Sequence, residues 1–193
     1  MKHTLIPAAT GGGNDGGCVS VSVSKGTSMD FISHALWTNL IYNQSTLPER
    51  LLATALGVAP DALAFGPLMA SRWLSGKKRV MGKVDETTYD ELNRTIPRWV
   101  FRIYDITHSI PIWLVGFFLW WWLRGSVPWP AFAWLIHILV DIPTHTKRFF
   151  PTPFVWPFSS YRFDGINWGV RWFMVLNYSA CIVMYCFVYF DFR

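Results

Sequence analysis

The chain has 193 residues, a length that suits one compact domain, but 52% of them are hydrophobic and 18% aromatic, a balance that speaks against a soluble domain and for a bilayer. Its net charge of +5 does not indicate nucleic acid, because the basic residues concentrate in connections flanking apolar segments instead of on one soluble face. The cysteines Cys18, Cys181 and Cys186 form neither a paired framework nor a CxxC metal motif, so Cys181 and Cys186 read as apolar helix residues.

Residues 1–28 carry few Lys and no apolar core, which predicts a disordered Gly/Ser-rich tail and not a signal peptide. Met29-Asp30-Phe31 is a candidate translation start. Gly11 to Gly17 lacks the Lys-Ser/Thr and the strand-then-helix context of a phosphate loop. Residues 29–193 are expected to form one helical membrane domain, beginning with a short helix over Asp30 to Tyr42 that carries His34. Pro48 opens a second helical stretch towards Leu74, which Gly57, Pro60 and Gly66-Pro67 are expected to break into pieces around Asp61. Irregular backbone at membrane depth is tolerated where it lines a polar cavity, so Pro60-Asp61 is expected at one.

Ser75 to Pro97 is polar and predicts an extramembrane loop with a helical turn around Glu86 to Leu92. Trp99 to Leu123 predicts one helix, with Arg102, Asp105 and His108 in its first turns and an apolar remainder. A fourth helix runs from Ala131 to about Ile142, where Pro143 ends or kinks it. Phe149 to Gly165 is an aromatic, Pro-rich loop, and Trp172 to Phe190 follows as nineteen residues without a charge, enough to cross ~30 Å of hydrocarbon. Ile110 to Leu123 and Val127 to Val140 are two further candidate spans, with Trp99, Trp129, Trp156 and Trp168 as interfacial anchors. The fold class expected is all-α, an integral membrane bundle of about five helices with at least three spanning. Lys77, Lys78, Arg79, Lys83, Arg94 and Arg98 precede the third apolar region and Lys147, Arg148 and Arg162 follow the fourth, whereas Arg124 lies in the turn between them. The positive-inside bias therefore puts both basic connections on the cytoplasmic side.

Four of the five histidines sit beside acids in or next to these helices. His137, Asp141 and His145 are four apart and fall within about 80° of one face if the helix persists past Pro143. Asp105 and His108 are three apart at the start of the preceding helix, so the two groups can meet near the cytoplasmic interface, joined by His34 and Asp61. Imidazole nitrogen and carboxylate oxygen are the donors that hold zinc and similar divalent ions, here zinc first with manganese or iron as alternatives. A charged side chain at a helix centre costs about 2.5–3.5 kcal/mol on insertion scales, so Asp105 and Asp141 require compensating partners. Two other readings stay open: a proton or ion path built from the same residues, and simple neutralisation of Asp105 by Arg102. A serine hydrolase reading of Ser109 is disfavoured, since there is no GxSxG elbow and adjacent helical side chains diverge.

With those residues in view, residues 29–165 resemble the YdjM/YbcI-like family of bacterial inner-membrane proteins, described as metal-dependent hydrolases and similar to zinc-dependent phospholipase C and the P1-type nucleases. The resemblance rests on His34 in FISHAL, Pro60-Asp61, Thr107-His108-Ser109, and His137 to Asp141 followed by Val155-Trp156-Pro157-Phe158. It implies an inner-membrane location and metal ligation by His34, Asp61, His108, His137 and Asp141, which this chain's own spacing extends to His145, Asp105 and Asp164. The PDxDH-like run of family members is reduced here to Pro60-Asp61-Ala62-Leu63, which loses an acid and a histidine. The expected activity is hydrolysis of a phosphoester, on a lipid by virtue of location, with Asp105 or Asp61 orienting water and Lys147, Arg148 or Arg162 binding an anionic group. The alternative class is a non-enzymatic membrane protein whose polar cluster moves protons or ions or ties helices together.

Overall fold

A computed structural model describes residues 31–75 and 93–190. Within them are six α-helices and one 3-10 turn, and no strand: α1 (Phe31–Ile41), α2 (Leu47–Leu74), α3 (Arg98–Thr107), α4 (Ile110–Arg124), the turn Trp129–Ala131, α5 (Phe132–Thr144) and α6 (Arg171–Tyr189). The tail 1–28 and the expected turn at Glu86 to Leu92 lie outside the described residues.

The expected break of the second helix does not occur. Helix α2 is continuous over 28 residues with Pro60 and Pro67 inside it. Each proline removes one backbone donor, and burial of this helix on three neighbours holds the remaining ladder together. Its start is fixed by Thr46, whose N–H and hydroxyl both donate to Glu49 Oε2 at 3.2 and 2.8 Å, with Pro48 in the first turn where a missing N–H costs nothing. Ala53, Gly57 and Ala64 are fully or almost fully buried along it, small side chains that let backbones approach. At Gly57 the approach is obligatory, because an added Cβ would collide with Thr38 Oγ1 of α1.

The single helix expected over Trp99 to Leu123 is two helices bent by 58° at His108-Ser109. Pro111 cannot donate to the carbonyl of Thr107, and Ser109 starts the new helix by accepting the N–H of Ile112 at 3.2 Å. Gly125 ends α4 in the left-handed region at φ 67°, which favours glycine. Pro143 stays within the last turn of α5, the helix stops at Thr144 and His145 is extended, yet the His145 N–H donates to the Asp141 carbonyl at 3.1 Å and keeps His145 beside Asp141.

Helix α2 is the hub, packed against α1, α3, α5 and the 3-10 turn, while α6 leans on α1. Ala64, Phe65, Val100, Tyr104 and Phe150 form the apolar core at the α2–α3 contact. Helices α2 and α6 are each long and apolar enough to cross a membrane, and the bent α3–α4 pair passes as a third span if taken together. Helix α5 is apolar but has only 13 residues, roughly 20 Å at 1.5 Å per residue, shorter than the span expected there. The outward faces fit lipid: Val115, Phe118 and Trp122 of α4 and Val175, Val183 and Phe187 of α6 are all more than half exposed.

Candidate metal centre

Helices α2 and α5 and the α3–α4 bend meet at one point. Asp61 lies midway along α2 just after Pro60, His108 occupies the bend between α3 and α4, and His137 and Asp141 sit one turn apart near the end of α5. All four are buried, and one ligand atom from each falls within 4.8 Å of the others. The two ring Nε2 atoms are 3.1 Å apart. Asp141 Oδ2 is 3.3 Å from that of His108 and 3.2 Å from that of His137, and Asp61 Oδ1 is 3.4 and 3.9 Å away from the same two atoms.

The backbone decides what these atoms offer. Nδ1 of His137 lies 2.8 Å from the carbonyl of Gly57, and Nδ1 of His108 lies 3.2 Å from the carbonyl of Tyr104. A carbonyl only accepts, so the Nδ1 of His137 carries the proton and a neutral His137 ring turns a lone pair inward at Nε2, whereas His108 Nδ1 also lies 3.0 Å from the Thr107 hydroxyl, which can donate or accept. Asp61 Oδ1 and both oxygens of Asp141 are buried without a hydrogen-bond donor. Two imidazole nitrogens and two carboxylates thus converge in a buried site, an arrangement that needs positive charge, from a metal ion or from a protonated histidine. Two carboxylates with neutral rings sum to the charge that one divalent ion balances. Ligand atoms bound at about 2.0–2.2 Å around a tetrahedral ion stand roughly 3.3–3.6 Å apart, so the observed spacing fits. The cluster could therefore hold a metal ion.

Packing locks the anchors. Tyr104 stacks on the His108 ring at 3.8 Å and donates its hydroxyl to the carbonyl of Phe150 at 2.9 Å. Trp134 Nε1 donates to the carbonyl of Thr107 at 2.7 Å, holding α5 against the bend. Ser109 is fully committed, donating to the carbonyl of Trp156 while accepting from Ile112, and has no nucleophile's geometry.

The other expected site residues fall into two groups. His34 and His145 stand against Asp141: His34 Nε2 is 3.2 Å from Asp141 Oδ1 and its ring lies 3.9 Å from that of His137, while His145 Nδ1 is 3.1 Å from the Asp141 carbonyl and 3.8 Å from its Oδ1. The rest lie outside the cluster. Asp105 pairs with Arg162 at 3.2 Å, and not with Arg102 as its helix position had suggested. Asp164 accepts the backbone N–H of Lys147 at 2.8 Å and so serves loop structure, and the Arg148 backbone carbonyl accepts from Asn93 at 3.0 Å.

A cavity of about 240 Å³ between α1, α5 and the start of α6 has Asp61, His137 and Asp141 on its floor and His34 and His145 beside them. Lys147, Arg148 and Arg162 are not among its lining residues. Sequence reasoning missed Gly57, Tyr104, Trp37 and Asn177. Gly57 had a signal, a residue without a side chain one turn before Asp61, but the others act through contacts between distant segments. Neither a family model, a curated protein nor a solved structure matches the chain.

Proposed function

We propose that the protein is a membrane-embedded metal-dependent hydrolase that cleaves a phosphoester. The observation that carries this reading is the buried convergence of His108 Nε2, His137 Nε2, Asp61 Oδ1 and Asp141 Oδ2, with Asp61, His137 and Asp141 lining an accessible cavity. His108, His137 and Asp141 would hold the ion and leave a position open to water, with zinc preferred by the nitrogen and oxygen donor set. When bound, a divalent ion supplies Lewis acidity and lowers the pKa of water towards 7. The chain's own groups do the rest. The Gly57 carbonyl keeps the His137 imidazole in the ligating tautomer, a duty that commonly alters metal affinity 10–100-fold when removed. Asp61, in the cluster and also on the cavity floor, is the carboxylate available to orient water and take its proton, whereas Asp105 is occupied by Arg162. Zinc-dependent hydrolysis at a bacterial inner membrane is also what the resemblance of residues 29–165 to the YdjM/YbcI-like family implies.

Detergent-purified protein, metal-loaded, is expected to hydrolyse bis(p-nitrophenyl) phosphate or bacterial phospholipid vesicles, and His137→Ala and Asp141→Ala are expected to abolish turnover together with bound metal. Wild-type protein with stoichiometric metal and no turnover above these variants would overturn the reading. A second reading has its own support: Asp141 has a histidine near each oxygen, the pattern of a proton relay. That reading expects no change on chelation.

A further inference from the structure

The cavity is asymmetric in chemistry. Its floor is the cluster, and its walls are Trp37, Ile136, Trp168 and Phe173, with Ile41 and Val140 at the rim. Ile41 of α1 and Val140 of α5 are 53% and 46% exposed, so the opening between those helices is edged by apolar side chains. The third wall is the first half of α6, a helix with lipid-type residues on its outer face. Asn177 pins that wall to α1: its Oδ1 accepts from Trp37 Nε1 at 2.9 Å and its Nδ2 donates to Ser33 Oγ at 2.7 Å. Among the described lining residues none is Lys or Arg.

Resting on the hydrolase reading above, we infer that the substrate is a membrane-resident amphiphile with one phosphoester head, which enters sideways from the bilayer between α1 and α5. An apolar rim admits a chain without the desolvation cost that a polar mouth would impose on it. With a divalent ion bound, the deep end would offer one Lewis-acidic point, the cluster, which matches a single phosphoester. A polyanion such as a nucleic acid needs a row of Lys and Arg to neutralise successive phosphates, and this cavity supplies none. The tail lies along Trp37, Ile41 and Val140, and the head reaches Asp61 and Asp141.

The test uses the full chain, metal-loaded, in phosphatidylcholine nanodiscs containing phosphatidylglycerol with a diazirine midway along one acyl chain. After irradiation, adducts mapped by mass spectrometry are expected on Trp37 to Ile41 and Phe173 to Asn177 at severalfold the density found on the lipid-facing stretch Val183 to Phe187. Val140→Trp and Ile136→Trp, which fill the cavity, should remove that enrichment while metal content stays at the wild-type level. A uniform adduct pattern would overturn the inference, as would enrichment that survives in both metal-replete variants. Equally damaging is competition by soluble glycerol phosphate as strong as by unlabelled phosphatidylglycerol, which means that the head alone is recognised from water. Enriched adducts without turnover of any phosphoester would instead remove the hydrolase reading and leave the cavity assignment standing.

Discussion

Two acid and histidine groups that look alike along the chain behave differently in the fold. Asp105 lies three residues from His108, and Asp141 lies four from His137, yet Asp105 is part-exposed and brings its own cation, Arg162, at 3.2 Å. Asp141 is 1% exposed, faces the Nε2 atoms of His108 and His137, and has no Lys or Arg partner among the described residues. The first group is already neutral. The second asks for a cation from outside, and that difference, rather than the presence of histidines beside acids, is what marks a site.

The largest effect expected of breaking this contrast is at Asp141. Asp141→Ala removes an oxygen shared by both histidines, and bound metal should fall by more than the roughly 10–100-fold typical of losing an outer-shell partner, as read by elemental analysis and calorimetric titration. Chelation of the wild-type protein comes next. A ligand held at about 100 times its Kd stabilises the folded state by about 2.7 kcal/mol, which in a chain of this size should appear as a loss of roughly 5–10 °C in Tm on adding a chelator. An unchanged melting curve would favour the proton-relay reading.

Gly57→Ala should cost about 1–3 kcal/mol of stability, because the new methyl group drives into Thr38 Oγ1, and it should weaken metal binding by shifting the carbonyl that anchors His137. Combining it with Thr38→Ala should recover part of both losses, a coupling that a simple helix-propensity effect would not give. At the small end, Asp105→Asn breaks a part-exposed ion pair and should change stability by under about 1 kcal/mol, with metal content untouched. Metal loss in that variant would erase the distinction between the two groups.

Much of the architecture was legible from periodicity and composition. An apolar run of spanning length forms α6 whatever its neighbours, and His137 and Asp141 share a face because residues four apart on any helix do. The prolines were legible as punctuation but not in their strength. Pro60 and Pro67 leave α2 unbroken, since packing on three neighbours outweighs a lost backbone bond, whereas Pro111 beside the Ser109 cap permits a 58° bend. Local sequence weighs both in the same way, because the deciding contacts come from elsewhere in the chain.

The sequence by itself determined the helical membrane class, the His137–Asp141 pair and the candidacy of Asp61 and His108, because these follow from residue type and helical spacing alone. Only the tertiary structure decided that Arg162 silences Asp105, that Gly57 and Tyr104 orient the imidazoles, and that α1, α5 and α6 enclose a cavity free of Lys and Arg above the cluster. Each of those outcomes depends on atoms that are distant in the chain being brought within about 3 Å, the range in which charge and hydrogen bonding act in a buried site.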